Sequence, residues 1–229
     1  MLNPAEITIG NRLVRAALRR HIGQMCASYE SRFSVTQLVK AFEAAQTPLL
    51  FEGGLPNLEP VAEVRPTDLS RAVRARPDGR AELVQMRFGF PPPAPKRPPI
   101  INFRSEGRRF SNGADHGRCL VPVSGFYEFT GDKYPKTRWV LRDAKAPLLA
   151  LAAIWRAGRD GAPDAFSLLT AEPGEDVRPY HHRGVVPLPQ QDWADWLFGA
   201  GSEAELLVPP PAGTLAVEPA PRGVTSVEH

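Results

Sequence analysis

The stretch RCLVPVSGFYEF, residues 118–129, combines β-branched and aromatic residues between turn-forming ones and reads as extended chain. RWVLRDAKAPLLALAAIW (138–155) and AFSLLT (165–170) read the same way. Upstream, AVRARPDGRAELVQMRFGF (72–90) is strand, turn around Pro77-Asp78-Gly79, and strand, a hairpin. Helical spacing is rarer. In FSVTQLVKAFEAA (33–45), Ser34 and Gln37 form a capping box, and Leu38, Ala41, Phe42 and Ala45 recur on one face. QQDWADWLFGA (190–200) presents Trp193, Trp196 and Leu197 at i, i+3, i+4. Many short strands and few helices in 229 residues predict one mostly β domain of the α+β class.

The remaining segments are connections and ends. PPPAPKRPP (91–99) forbids helix and central strand alike and predicts a stiff extended surface loop. The Pro-rich stretch 208–224 is expected to wrap the surface. Residues 12–22, RLVRAALRRHI, form a short basic amphipathic helix, either a solvated face or a contact for nucleic acid.

Lys and Arg exceed Asp and Glu by 28 − 25 = 3, a balance that permits nucleic-acid binding without demanding it. Two cysteines, Cys26 and Cys119, exclude a disulfide scaffold and a four-thiolate metal site. Reduced thiols and a cytoplasmic location are expected. No run of 18 apolar residues predicts a membrane span.

Four places carry groups able to do chemistry. Cys26 lies beside the small residues Ala27 and Ser28 and is either a buried small hydrophobe or a nucleophile; Cys119, inside an apolar run, suits the structural role. In INFRSEGRRF (101–110), strand alternation puts Asn102 and Arg104 on one side, an amide beside a guanidinium that fits a phosphate and its polar neighbour. The same span reads equally as a solvated charged turn. Arg108, Arg109, Phe103 and Phe110 add the cations and rings that suit single-stranded nucleic acid. Alternation places Glu128 with Phe126 and Thr130, a carboxylate beside a large ring that is either a general acid or an ion-pair partner. His181 and His182 are expected to point apart on a strand, so they share no metal, and His181 is either structural or catalytic.

Together these segments resemble the SRAP family, the SOS-response-associated peptidases that act on abasic sites in single-stranded DNA. MCA (25–27), NFRSE (102–106), RCLVPVSGFYEF (118–129) and HHRGVV (181–186) match four family motifs in order, and RFGF (87–90) and LAAIW (151–155) match two of its strands. The resemblance implies a barrel-like curled sheet flanked by a few helices, with residues 25–229 as the domain and 1–24 as an extension. It implies Cys26 as nucleophile, Asn102 as active-site amide, Glu128 as acid/base and His181 as catalytic histidine. Arg104, Arg108 and Arg109 would hold phosphates, and Phe88, in place of the family's tryptophan, would stack on DNA. No cofactor or metal is implied, and the partner is abasic single-stranded DNA met by a monomer.

The departures are Ala27 for glycine, Glu63 for asparagine, Phe103 and Ser105 around the amide and arginine, and Val185 for proline. A cysteine can close a thiazolidine only with a free α-amine. Three explanations follow: initiation at Met25, which leaves residues 1–24 outside the native chain and is the favoured one; their removal by autoproteolysis; or a protein that has lost crosslinking. Two other readings are a Cys26/His181 thiol peptidase with Glu128 orienting the histidine, and a non-enzymatic single-strand-binding protein.

Overall fold

The computed structural model describes residues 28–51, 54 and 56–220. Cys26, Ala27 and the basic segment 12–22 lie outside the described residues. The chain begins with β1 (Tyr29–Ser31), α1 (Val35–Ala44) and β2 (Leu49–Leu50), then β3 (Val61–Val64), β4 (Leu69–Ala75) and β5 (Ala81–Phe88). It continues through β6 (Asn102–Arg104), β7 (His116–Val123), β8 (Gly125–Thr130), β9 (Thr137–Asp143), β10 (Leu149–Arg156) and β11 (Ala165–Ala171). It ends with β12 (Gly184–Val185), β13 (Pro187–Leu188), α2 (Trp193–Phe198), α3 (Glu203–Leu206) and β14 (Leu215–Pro219).

Two sheets result. In the larger, β11-β10-β7-β4-β5 run as neighbours and β5 pairs back onto β11 in parallel, through Ala165 with Arg87 and Phe166 with Phe88. That last pairing closes a barrel, the curled sheet expected of the family. The smaller sheet has the order β14-β9-β8-β1-β3.

Alternation along the strands produces two apolar clusters. One unites Ala72, Met86, Phe88, Cys119, Val121, Leu151, Ala153 and Phe166 of the barrel strands with Tyr29, Phe126 and Leu141 of the smaller sheet. The other gathers the opposite faces, Val73, Leu120, Ala152 and Leu169 among them, beneath Leu38 and Phe42 of α1 and Trp193, Trp196 and Leu197 of α2. Both predicted helical stripes are therefore buried. The capping box of α1 forms as read: Gln37 N–H donates to Ser34 Oγ, and Ser34 N–H donates to Gln37 Oε1 at 2.8 Å.

RCLVPVSGFYEF is two strands rather than one. Its first half, in β7, belongs to the barrel and its second half is β8 in the smaller sheet, so the chain changes sheets at Ser124-Gly125. Gly125 is required there, because a Cβ would stand 2.8 Å from Arg142 Cγ and 2.9 Å from the Leu141 carbonyl oxygen. The proline loop projects as an exposed excursion closed at its base by paired hydrogen bonds of 3.0 Å between Phe90 and Ile100. The Pro-rich tail does more than wrap the surface. Residues 215–219 pair antiparallel with β9 as an edge strand, anchored by buried Leu215.

Candidate active site

Strand β11 organises the site. Along one edge it pairs in parallel with β6, Leu168 beside Asn102 and Thr170 beside Arg104; along the other it pairs with β12, Thr170 beside Val185. The NFRSE and HHRG segments thus flank the same residue. The Thr170 carbonyl accepts Ser105 N–H at 3.0 Å, Ser105 Oγ at 3.0 Å and Arg183 Nη2 at 2.7 Å. Arg183 also forks onto Glu106, with Nη1 to Oε1 at 2.7 Å and Nη2 to Oε2 at 2.9 Å. The Arg183 hydrogen bonds hold the Glu106 carboxyl below its usual value, with the Arg104 charge adding to the effect.

Asn102 and Arg104 share the face of β6 that follows Leu168 toward the cluster of Phe88 and Phe166, while Phe103 turns to the cluster beneath α1 and α2. Arg104 is exposed. Arg108 and Arg109, expected to assist it, are exposed in the loop beyond β6, and the Arg108 guanidinium lies 4.6 Å over the Phe103 ring. The loop therefore carries Arg108 to the other face of β6 from Arg104.

His181 closes a pair of turns, its N–H donating to the Val177 carbonyl at 3.0 Å. It precedes β12 instead of lying in a strand, so the two histidine rings do not point apart as expected. They stack, with centroids 4.4 Å apart. His181 is 9% exposed, and its Nδ1 lies 2.9 Å from the Arg183 carbonyl oxygen and 3.2 Å from the Arg183 N–H. Both contacts run from Nδ1 to the main chain of Arg183, and they fix the orientation of the ring. Among the described residues no hydrogen bond reaches the buried Nε2.

Glu128 lies in β8 and is 1% exposed. It pairs across to Trp139, whose indole N–H donates to Thr130 Oγ1 at 2.8 Å, so Glu128, Thr130 and Trp139 share a face as alternation predicts. Trp139 in turn packs on Tyr180, 4.9 Å between centroids. This contact seats β9, the neighbour of the strand of Glu128, against the turn of His181.

The start of the described chain runs along the same strand. Ser28 carbonyl accepts Tyr127 N–H at 3.1 Å, and Ser28 Oγ donates to Glu63 Oε1 at 2.9 Å. Burial alone would raise the Glu63 carboxyl, but hydrogen bonds from Arg65 and Ser28 and the Arg138 charge outweigh it and hold it low. The family's asparagine position is thus a carboxylate here, committed to Ser28, Arg65 and Arg138, with Arg138 lying 3.5 Å over the Tyr127 ring.

Phe88 corrects the expectation of a DNA-stacking ring. It is wholly buried, 5.3 Å from Phe166 and 5.4 Å from Tyr29 between centroids, and supports the core beneath the site. Cys119 is equally buried, and burial pushes its thiol pKa far up, so it is no nucleophile. Arg183 and Glu106 are the site residues to which the sequence reading assigned no role; the signal was an arginine following the histidine pair and a glutamate closing NFRSE. Among the described residues no cluster of His, Cys, Asp and Glu could hold a metal, and no helix is long and apolar enough to cross a membrane.

Known structures share this architecture. A crystal structure of a protein from Bordetella bronchiseptica superposes with a TM-score of 0.61 at 22% identity, covering 85% of this chain and 99% of that one. A phage-related protein of the same organism gives 0.63 at 20% identity, with 86% and 95% covered. A Bacteroides thetaiotaomicron protein gives 0.60 at 16%, with 85% and 91% covered. No curated protein matches the sequence. Residues 25–227 match the family described as SOS response associated peptidase (SRAP), and the chain belongs to that family.

Proposed function

We propose that the protein senses abasic sites in single-stranded DNA and traps them as a covalent crosslink through Cys26, once removal of the preceding residues makes it the first residue. Autoproteolysis at that point is the peptidase activity. The observation that carries the reading is the lashing of β6 and the His181 turn onto the two edges of β11 through one carbonyl, with β9, the partner of the strand of Glu128, packed against the same turn. This supports a site composed of an amide, an exposed guanidinium, a buried carboxylate and an oriented imidazole beside the strand that follows Cys26.

The chemistry follows from those groups. An abasic sugar in its open form carries an aldehyde. The Cys26 α-amine, with an ordinary pKa of about 7.7–8.0, is partly neutral at physiological pH and attacks the carbonyl carbon. Loss of one water gives an imine, and the thiol sulfur then adds to the same carbon while its proton passes to nitrogen, closing a five-membered thiazolidine. Glu128 relays protons in sugar opening and dehydration, and His181 Nε2 transfers a proton at the sugar oxygen. Asn102 orients the amine or the sugar, and Arg104 binds an adjacent phosphate. The reading requires Cys26 to approach Glu128; one residue, Ala27, separates it from Ser28, a span of at most about 7 Å.

Abasic single-stranded DNA is mixed with the full chain and with a version starting at Met25, followed by denaturing gels and intact masses. A heat-stable adduct from the version that has lost Met25, abolished by Cys26→Ala, is expected. A mass one water below the sum of the partners excludes a simple thiol adduct, and survival of heating without borohydride reduction distinguishes the ring from the isomeric imine. No adduct from either version would overturn the proposal in favour of DNA binding alone.

A further inference from the structure

The far face of β6 borders a second feature. A groove of about 1,090 Å³ runs between the loop after β6 and the hairpin joining β10 to β11. Its rim carries Arg108, Arg109, Arg156 and Arg159. Among the described residues none of these four forms an ion pair with a carboxylate, whereas Arg74, Arg118, Arg138, Arg142 and Arg183 all do. The acidic group on the rim, Asp115, is engaged by His116 at 2.8 Å and feels the Arg159 charge as well, so four arginines face one carboxylate along the groove.

Two of the cations lie over rings, Arg108 over Phe103 at 4.6 Å and Arg156 over Phe90 at 4.8 Å. A guanidinium over a ring keeps N–H donors for anions and a planar face on which a base can stack. The floor adds a donor. Three tryptophans give their indole N–H to protein acceptors: Trp139 to Thr130 Oγ1, Trp193 to the Leu188 carbonyl and Trp196 to the Cys119 carbonyl. Trp155 lines the groove and is 7% exposed, and its N–H donates to nothing among the described residues. Gly117 keeps the space beside that N–H open, since a Cβ there would sit 2.9 Å from Nε1.

We propose that this groove binds single-stranded DNA flanking the reacting nucleotide, with phosphates on the four arginines and unstacked bases against the guanidinium planes and ring edges. Uncompensated cations select a polyanion, and planar faces add affinity only for bases that are not already stacked in a duplex. The proposal rests on the reading of the site as DNA-directed and extends it to a surface that β6 separates from Asn102 and Arg104.

The test uses the Met25-initiated chain and the double variant Arg156→Glu/Arg159→Glu, two exposed residues outside the proposed chemistry. Affinity for a long undamaged oligonucleotide is followed by anisotropy across a NaCl series, and crosslinking is followed on an abasic strand trimmed to its immediate neighbours. The variant is expected to bind the long strand at least tenfold more weakly. The slope of log affinity against log salt should shrink by about 1.4, two contacts at about 0.7 each. Crosslinking of the trimmed strand should keep its wild-type rate. Unchanged long-strand affinity and slope would overturn the proposal. If wild type forms no crosslink yet charge reversal still weakens the long strand, the proposed chemistry fails and the groove stands. Arg156→Gln/Arg159→Gln, which introduces no new charge, must move both quantities in the same direction by less.

Discussion

The Thr170 carbonyl accepts three donors from two segments that are far apart in sequence, and Arg183 supplies the one that crosses the strand. Removing that guanidinium frees Glu106 and takes a charge-assisted bond from a buried acceptor. Arg183→Ala is therefore expected to destabilise the protein by about 2 kcal/mol in urea titrations, and to slow crosslinking more than it weakens DNA binding. Arg183→Lys should recover little, because an ammonium cannot fork onto Glu106 and reach Thr170 as well. Equal losses of rate and affinity in both variants would mean that Arg183 serves stability alone. The residues of this clamp stood in the sequence, but their pairing did not. Glu106 and Arg183 are 77 positions apart, and only the placement of β6 and β12 on opposite edges of β11 makes them neighbours. Phe88 shows the opposite failure: alternation marks a strand but not which face meets solvent, and here that face is core.

Strand β1 is three residues long and is held by more than its ladder. Glu30, with its side chain 2% exposed, takes Arg142 Nε at 2.6 Å and Nη2 at 3.2 Å from β9 and the Tyr127 hydroxyl at 3.1 Å from β8. Burial would raise this carboxyl, but the Arg142 bonds and charge, Tyr127 and Arg32 together bring it below its ordinary value. A carboxyl whose folded pKa lies below its unfolded one stabilises the fold above the unfolded value, about 4.3, and loses that contribution as pH falls through the folded one. Melting temperature is thus expected to drop steeply below about pH 4, and Glu30→Gln should start lower at neutral pH and drop less. Parallel pH profiles for the two proteins would exclude Glu30 as the group responsible. At this scale the local signals were dependable: the capping box of α1, the 72–90 hairpin and the Trp193/Trp196 stripe all formed where spacing put them. The histidine pair misled because a strand was assumed where the chain makes two turns, and turn stacking has no period to read.

Barrel closure depends on the short parallel seam of β5 with β11, and Phe88 sits in that seam between Phe166 of the barrel and Tyr29 of the smaller sheet. Phe88→Ala is expected to cost about 3–5 kcal/mol, read as a lower urea midpoint, because the cavity opens where the two sheets meet and neither can relax alone. A loss below about 1 kcal/mol would show that the seam tolerates a void. The mostly β class was legible from strand counting, and the family motifs implied the curled sheet. The partition of RCLVPVSGFYEF between two sheets was not legible, because it turns on the steric room at Gly125 against Arg142 and Leu141, neighbours that only the folded chain supplies. Closure also leaves Cys119 sealed in the core with its thiol held protonated. With two cysteines in the chain, the native protein therefore behaves toward alkylating or fluorescent thiol reagents as a single-sulfur molecule. Each label taken up before unfolding reports the reactivity of residue 26, and a second label appearing under denaturant clocks the opening of the barrel.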